Sequence, residues 1–199
     1  MVAVALLCAI AAGGARAALR NRVLARPDQA GKMARMSLGL ANAANRIRPL
    51  RVLMEKAVGI HRDKLLPDFA GQPFDAWAEA NGFVKPEPGG EAVLFQTCFV
   101  QNNDPQLGRD ILEVMRANQV DVRVARGLQC CGMPAWEHGD LAALRRQAGH
   151  NLEILQPFVV AGAKVLAINP TCAMVMRREY AELLPRGQRE ATRALAAAV

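Results

Sequence analysis

Residues 120–134 read VDVRVARGLQCCGMP, in which a short alternating segment leads into two adjacent cysteines and a glycine. The valines of this segment occur at every second position, which predicts a half-buried β-strand over residues 120–125. Adjacent cysteines in a regular strand point to opposite faces, so both can bind one centre only where the backbone turns. Gly132 allows such a turn, because it has no side chain to restrict its dihedral angles. The stretch therefore predicts a strand followed by a cysteine-bearing loop.

Similar strands and helices lie on both sides of this stretch. Residues 92–97 (AVLFQT) and 164–168 (KVLAI) are short apolar segments that predict a first and a third strand. Apolar residues have helical spacing in three further segments: 105–118, 139–160 and 172–184. The residues expected on the inner side of the first of these helices are Leu107, Ile111, Leu112 and Met115. The β-α-β-α-β-α order favours an α/β fold with a small parallel sheet.

Four of the five cysteines follow these predicted strands. Cys98 comes after the first strand, Cys130 and Cys131 follow the second, and Cys172 follows the third at the start of a helix. The carboxyl ends of parallel strands meet at one edge of a sheet, which is where open α/β sheets place their ligands. The sequence therefore predicts one site that contains all four thiols. The fifth cysteine, Cys8, is interpreted as a small apolar residue.

Several kinds of chemistry use such a set of thiols. Thiolates are the preferred ligands of iron–sulfur clusters and also bind structural zinc, although the spacing here differs from the two CxxC hooks of a zinc ribbon. Three functions stay open on this evidence: an electron-transfer domain, a zinc-binding structural module, and a thiol-redox domain. A fragment with an incomplete site is a fourth interpretation. The sequence shows no nucleophile–base pair, P-loop or dinucleotide-binding fingerprint, so we expect no substrate chemistry of its own.

Positive charge is concentrated in the first third of the chain. Of the net charge of +7, residues 1–64 carry +9, from twelve Lys and Arg against three Asp and Glu, and the rest carries −2. This distribution predicts a solvated helix face or a docking surface for anionic lipid or an acidic partner. Nucleic acid is a weaker choice, because no aromatic side chains alternate with the cations and no nucleic-acid-binding motif is present.

The chain divides into four predicted parts. Residues 1–82 predict an all-helical basic segment, and residues 83–90, which include KPEPGG, predict a linker. Residues 91–185 form the predicted cysteine-rich α/β domain, and residues 186–199 a helical tail or a truncated end. Within the basic segment we expect one amphipathic helix over residues 29–48, with four apolar residues near one side: Met33, Met36, Leu40 and Ile47.

An apolar run over residues 2–12 superficially resembles a secretion signal. No basic residue precedes it, since the first charged side chain is Arg16, and the run is too short to span a bilayer as a helix. Secretion would also expose unpaired thiols to oxidation. We therefore expect a protein that is not secreted.

The cysteines and their flanking residues resemble the CCG cysteine-rich domain of heterodisulfide reductase B-type proteins, and within that group the electron-transfer subunits of anaerobic glycerol-3-phosphate dehydrogenases. Three stretches carry the resemblance, which extends over about residues 20–185: TCFVQNNDPQLGR (97–109), CCGMP (130–134) and PTCAMVMRRE (170–179). It implies a bound iron–sulfur cluster, of the 4Fe–4S type, whose ligand positions match Cys98, Cys130, Cys131 and Cys172. It also implies an electron-transfer component rather than a catalytic subunit. Such a component receives electrons from flavin-containing dehydrogenase subunits and passes them toward quinone at the cytoplasmic face of the membrane.

Three features differ from the family pattern. The family motif closes with CxxC, whereas Asn169 occupies the first of these positions and leaves four thiols instead of five. First repeats of the glycerol-3-phosphate subfamily resemble this chain in that respect. The family normally has two ferredoxin-type cysteine runs upstream and a second CCG repeat downstream, and neither is found here. We therefore expect the chain to correspond to the middle of a longer protein.

Overall fold

Three short strands form a parallel sheet at the centre of the computed structural model, which describes residues 20–22 and 24–199. The strands are β1 (Ala92–Phe95), β2 (Val122–Val124) and β3 (Lys164–Ala167). They lie in the order β2-β1-β3, and Ala92 of the central strand pairs with Val122 on one side and Lys164 on the other. The predicted α/β fold with a parallel sheet and a preceding helical region is confirmed.

Helices surround this sheet. Residues 27–80 form four helices that precede it: α1 (Pro27–Met36), α2 (Leu40–Arg46), α3 (Arg48–Val58) and α4 (Phe74–Ala80). Two connect β1 to β2, and two more connect β2 to β3: α5 (Thr97–Asn102), α6 (Pro105–Ala117), α7 (Met133–Glu137) and α8 (Leu141–Val160). Three follow β3: α9 (Pro170–Met174), α10 (Tyr180–Leu183) and α11 (Arg189–Ala198). A π-helical turn (Val175–Glu179) joins α9 to α10, and a 3-10 turn (Arg186–Gln188) precedes α11.

The two faces of β1 enter two separate hydrophobic cores. Val93 and Phe95 point into a core that also contains buried residues of α8 and α11, and this core holds the buried cysteines. Leu94 points into a second core, built mainly with α4 and α6. Successive side chains of a strand face opposite sides, so a strand that is apolar throughout is covered on both faces. The cysteines therefore belong to one specific side of the sheet.

The helical region before the sheet differs from the expected single helix over residues 29–48. The chain turns at residues 37–39, where Leu38 and Gly39 have φ angles of 51° and 90°, so α1 and α2 are separate helices. A right-handed helix cannot continue through two successive residues with positive φ.

The predicted apolar side of this region is also wrong. Met33 and Met36 of α1 face solvent, and Met36 is 81% exposed, whereas the buried residues of α1 are Gly31 and Ala34. The reason is the close packing of α1 on α5, since a Cβ atom added at Gly31 would lie 2.2 Å from the Asn102 side chain. A close helix contact selects small residues rather than large apolar ones.

Helix α6 shows the same effect. Leu107, which was expected inside, is 40% exposed, while Gly108 and Leu112 are buried. The ring of Phe74 lies 2.5 Å from the position that a Cβ atom of Gly108 would occupy. Helix α6 therefore packs against α4 through Gly108, and Leu107 lies at the edge of the contact between the two helices.

None of the helices within the described ranges is long and apolar enough to span a membrane. The C-terminal helix α11 packs on the core that holds the cysteines, and Leu195 is completely buried there. The expectations for residues 2–12 and for Cys8 lie outside the described residues.

Candidate cysteine site

Four cysteines meet at the carboxyl edge of the sheet, and we call them the cysteine site. Cys98 lies in the first turn of α5, Cys130 and Cys131 lie in the loop after β2, and Cys172 lies in α9. All four are free thiols; Cys98 is half-buried and the other three are buried. Hydrogen-bonding contacts between their side chains run in a row, from Cys98 to Cys130, from Cys130 to Cys131, and from Cys131 to Cys172. The topology thus brings together the thiols that the sequence singled out, while their role as ligands stays a prediction.

Gly132 makes the turn of the cysteine loop possible. Its φ angle is +97°, a conformation that residues with a side chain rarely adopt. A Cβ atom at this position would also lie 2.2 Å from Cδ1 of Leu144, which is completely buried in α8. Both the backbone conformation and the packing therefore require glycine, and the loop gains its turn directly after the two cysteines.

Two buried polar side chains hold the cysteine loop in place. The Asn151 side chain accepts a hydrogen bond from the Gln129 backbone N–H (2.8 Å) and donates to the carbonyls of Gln129 and Cys130, each at 3.2 Å. The Tyr180 hydroxyl donates to the Cys131 carbonyl (3.0 Å) and accepts from the Asn151 amide (3.2 Å). Both side chains are 0% exposed. Buried hydrogen bonds of this kind fix backbone geometry, because breaking them leaves polar groups without partners.

A third contact comes from the helical region that precedes the sheet. The Asp28 carboxylate in the first turn of α1 accepts a hydrogen bond from the Cys130 backbone N–H at 2.7 Å. Burial raises the pKa of Asp28, although this hydrogen bond and the charges of Lys32 and Arg35 oppose the shift. The side chain of Arg35 also donates to Asn102 of α5 at 2.9 Å. Helix α1 is therefore attached directly to the cysteine site.

The surroundings of Cys98, Cys130 and Cys131 favour the protonated thiol. Contact with the Cys130 thiol, together with burial, raises the pKa of Cys98 far above its ordinary value. Contact with Cys131 and burial raise the pKa of Cys130 to about 12, against a lowering effect of Cys98. Contact with Cys130 lowers the pKa of Cys131, but Cys172 and burial outweigh it and raise that pKa to about 12. Metal binding reverses this state, because the thiolate is the ligand form.

Cys172 sits on a capped helix start. Asn169 precedes α9, and its side-chain oxygen accepts a hydrogen bond from the Thr171 backbone N–H at 2.8 Å. Asparagine is a preferred residue at this position, since it satisfies one of the free N–H groups of the first turn. The residue that stands where the family motif has a cysteine therefore serves here as a helix cap.

Unpaired buried polar atoms lie beside the thiols. Among the described residues, neither atom of the Gln96 side-chain amide has a hydrogen-bond partner, and neither does Oε1 of Gln147. Gln96 lines a narrow crevice together with Cys98 and Asp28. Gln147 lies against the cysteine loop, since its Oε1 is 3.3 Å from the position of a Cβ atom at Gly132. Buried amides normally have partners, so these groups fit a site that accommodates a further group.

Residues 92–177, which contain the whole cysteine site, match the model of the cysteine-rich domain family CCG. This segment forms a CCG cysteine-rich domain. The resemblance noted from the sequence motifs is thereby confirmed. The helical region that supplies Asp28 lies outside the matched residues.

Known proteins with related sequences are longer than this chain. A subunit of the anaerobic glycerol-3-phosphate dehydrogenase of Escherichia coli K12 is 32% identical over 170 residues, which are 85% of this chain and 43% of the relative. Lactate utilization protein A of Shouchella clausii is 32% identical over 90 residues, covering 45% and 36% of the two chains. A subunit of the fumarate reductase (CoM/CoB) of Methanothermobacter marburgensis is 24% identical over 102 residues, covering 50% and 20%. The chain spans less than half the length of each relative, and no solved structure matches it.

The residues that support the CCG cysteines were not identified from the sequence. Asp28, Asn151 and Tyr180 lie 102, 21 and 49 residues from the cysteines whose backbones they bind. Asp28 and Asn151 belong to no local motif with the cysteines, whereas Tyr180 directly follows the PTCAMVMRRE stretch that contains Cys172. For Asn151 the sequence contains one signal. This polar residue lies at helical spacing from Leu144 and next to Leu152, both of which are expected on the inward side of the helix.

Within residues 20–22 and 24–199, no three His, Cys, Asp or Glu side chains form a group arranged to hold one metal ion. Neighbouring CCG thiols contact one another directly. By donor chemistry they fit an iron–sulfur cluster: four cysteine thiols come from three separate segments of the chain, and an unpaired amide lies next to them. The row has to open for any such group to bind.

Proposed function

We propose that this chain is an electron-transfer module in which Cys98, Cys130, Cys131 and Cys172 hold an iron–sulfur cluster of the 4Fe–4S type. The observation that carries the proposal is the row of four free thiols at one edge of the sheet of a CCG domain. A cluster bound there would supply one-electron transfer, and the protein would supply ligation and defined surroundings. The module would serve a flavin-containing dehydrogenase of the glycerol-3-phosphate type and pass electrons toward quinone.

The supporting residues have clear roles in this proposal. Asn151 and Tyr180 fix the carbonyls of Cys130 and Cys131, so the two adjacent thiols keep their direction when the cluster changes charge. The half-buried Cys98 is the end of the thiol row that lies nearest to solvent. Electrons would therefore enter or leave most directly at that end.

A structural zinc ion is less well supported. Zinc requires ligands that converge on one point in tetrahedral geometry. Four thiols can supply such ligands, but the CCG family match favours an iron–sulfur cluster, which is what the resemblance to that family implies. The unpaired Gln96 amide suits either group, because zinc-bound thiolates and the sulfur atoms of a cluster both accept hydrogen bonds.

The helical region supports a docking role. Apolar side chains of α1, α2 and the turn between them face solvent, and Leu38 is 93% exposed. The excess of Lys and Arg in the same part of the chain adds positive charge. Exposed apolar residues among cations favour contact with partner subunits or with anionic lipid at the inner face of the cytoplasmic membrane.

The first experiment is iron and acid-labile sulfide analysis of protein purified without oxygen, with visible and EPR spectra. We expect about four irons per chain and an absorbance that bleaches on reduction. Cys131→Ser should lose the chromophore, and Cys8→Ser, the same change at the one cysteine outside the cysteine site, should keep it. Zinc at one ion per chain, or equal iron content in both variants, would overturn the assignment.

A second experiment tests the docking surface. The protein should co-sediment with phosphatidylglycerol vesicles at low salt, and the bound fraction should fall as salt rises, since exposed charges are screened. Leu38→Ser should weaken this binding, whereas Leu107→Ser, which changes an exposed leucine of α6, should not. Binding that changes neither with salt nor in the Leu38→Ser variant would exclude the lipid role and leave the dehydrogenase subunits as the proposed partner.

A further inference from the structure

Gln96 lies at the point where β1 ends and the chain enters the cysteine site. Its side chain is 1% exposed, and within the described part of the chain neither Nε2 nor Oε1 has a hydrogen-bond partner. An amide that is buried without partners destabilises a folded protein, because it loses its hydrogen bonds to water. A hydrogen-bond partner that binds to the folded protein would remove this destabilisation.

The surroundings of Gln96 indicate where such a partner lies. Gln96 lines a crevice whose other walls include Asp28, Cys98 and Gln101. Two of these groups are already engaged: Asp28 accepts from the Cys130 N–H, and Gln101 accepts from the Asp75 N–H. The Cys98 thiol lies in the same crevice, and a group bound to this thiol would bring further sulfur acceptors to the Gln96 amide.

The backbone beside Gln96 is bent in an unusual way. Thr97 has a φ angle of +61° although it is a β-branched, buried residue. Such a conformation is costly for a residue with a branched side chain, and it persists only where the surrounding structure enforces it. Here it turns the chain sharply between Gln96 and Cys98 and keeps both residues at the same crevice.

We propose that the Gln96 amide donates a hydrogen bond from Nε2 to a sulfur atom of the bound cluster on its Cys98 side. The inference rests on the proposed function, and it makes Gln96 a positioning residue that adjusts the reduction potential. A donor beside the sulfurs stabilises the reduced cluster, which carries one more negative charge than the oxidised cluster. The amide therefore shifts the potential to a more positive value.

The test compares Gln96→Met in the metal-free and in the loaded protein. Methionine has a similar length but no donor, so in the metal-free protein the free energy of unfolding should be unchanged or higher. In the loaded protein the potential, measured by dithionite titration followed by EPR, should become more negative. ENDOR spectra in deuterated buffer should lose one exchangeable proton near the cluster. Gln119→Met is the matched control, because it makes the same change before β2, at the opposite edge of the sheet. This variant should have the reduction potential and the proton signal of the parent.

The outcomes separate this inference from the proposed function. A parent protein that takes up no iron would overturn both. A parent that loads normally, with a Gln96→Met variant of unchanged potential and unchanged proton signal, would overturn the role of Gln96 alone. A Gln96→Met variant that unfolds more easily than the parent without metal would also overturn it, because the amide would then have a partner within the protein.

Discussion

Replacement of Gly132 by alanine tests whether the turn after the two cysteines sets the geometry of the site. The variant must adopt a φ angle near +97°, which costs about 1–2 kcal/mol for a residue with a side chain. Its methyl group would also lie 2.2 Å from Cδ1 of the fully buried Leu144. Overpacking of this kind costs about 1–3 kcal/mol. The free energy of unfolding should therefore fall by about 2–5 kcal/mol, the sum of these two effects.

Gly162→Ala is the matched control for this change. Its φ angle of +92° is nearly the same, but no heavy atom lies within 4 Å of an added Cβ atom. This variant should lose only the conformational part, about 1–2 kcal/mol. Urea unfolding of the metal-free proteins, followed by circular dichroism, gives both values, and their difference isolates the contact with Leu144.

The loaded proteins extend the comparison to function. A displaced loop moves Cys130 and Cys131 together, so Gly132→Ala should bind less iron than the parent, while Gly162→Ala should bind the same amount. Equal losses of unfolding free energy in the two variants would refute the packing argument. Equal iron content would show that the loop can shift without consequence for ligation.

Three further predictions concern the groups that surround the thiols. Tyr180→Phe removes the donor to the Cys131 carbonyl, and the unpaired buried carbonyl should lower the free energy of unfolding by about 1–3 kcal/mol, measured by urea titration. Asp28→Ala should lower it by a similar amount, because the Cys130 N–H loses its acceptor, whereas Asp28→Asn keeps an acceptor oxygen and should lose less. The metal-free protein should also lose stability as pH rises from about 8.5 toward 12, by up to about 1.4 kcal/mol per pH unit for each of Cys130 and Cys131. The sign follows because Cys130 and Cys131 have pKa values of about 12 when folded, so the unfolded chain releases their protons first.

Each of these expectations can fail in a specific way. A Tyr180→Phe variant as stable as the parent would mean that water replaces the hydroxyl. Equal effects of Asp28→Ala and Asp28→Asn would mean that charge, not the hydrogen bond to the loop, is what matters at Asp28. Stability that is independent of pH from about 8.5 to 12 in the metal-free protein would contradict the burial of the thiols, and the loaded protein, with its ligands already ionised, provides the comparison.

The sheet and its helices could be predicted because their apolar patterns are local. The first strand was expected over residues 92–97 and ends at Phe95, a difference that arises because the chain bends at Thr97. The central position of β1 could not be predicted, since an apolar pattern contains no information on which strands are neighbours. The single helix expected over residues 29–48 is wrong because the chain turns at residues 37–39, and the apolar pattern does not indicate this turn. Large apolar residues of this region face solvent, since the close contact of α1 with α5 selects Gly31 instead.

The thiols of the cysteine site could be predicted from topology alone, because parallel strands end at one edge. The residues that orient them could not, since Asp28 and Tyr180 reach the loop from distant parts of the chain. A hydrogen bond between a side chain and a distant backbone group leaves no periodic trace in a sequence. The position of the thiols could therefore be predicted from the sequence, whereas the residues that support them could not.

The contacts between α1 and the cysteine loop connect two features that are separate in the sequence: the basic helical region and the cysteine site. Asp28, Gly31 and Arg35 recur at helical spacing and lie on one side of α1, toward the cysteine site and α5. Met33 and Met36 fall on the opposite side, which faces solvent. A partner or membrane that binds this outer side would be only one helix away from the half-buried end of the thiol row. The basic helical region would then both attach the module and place its electron entry or exit point against the partner.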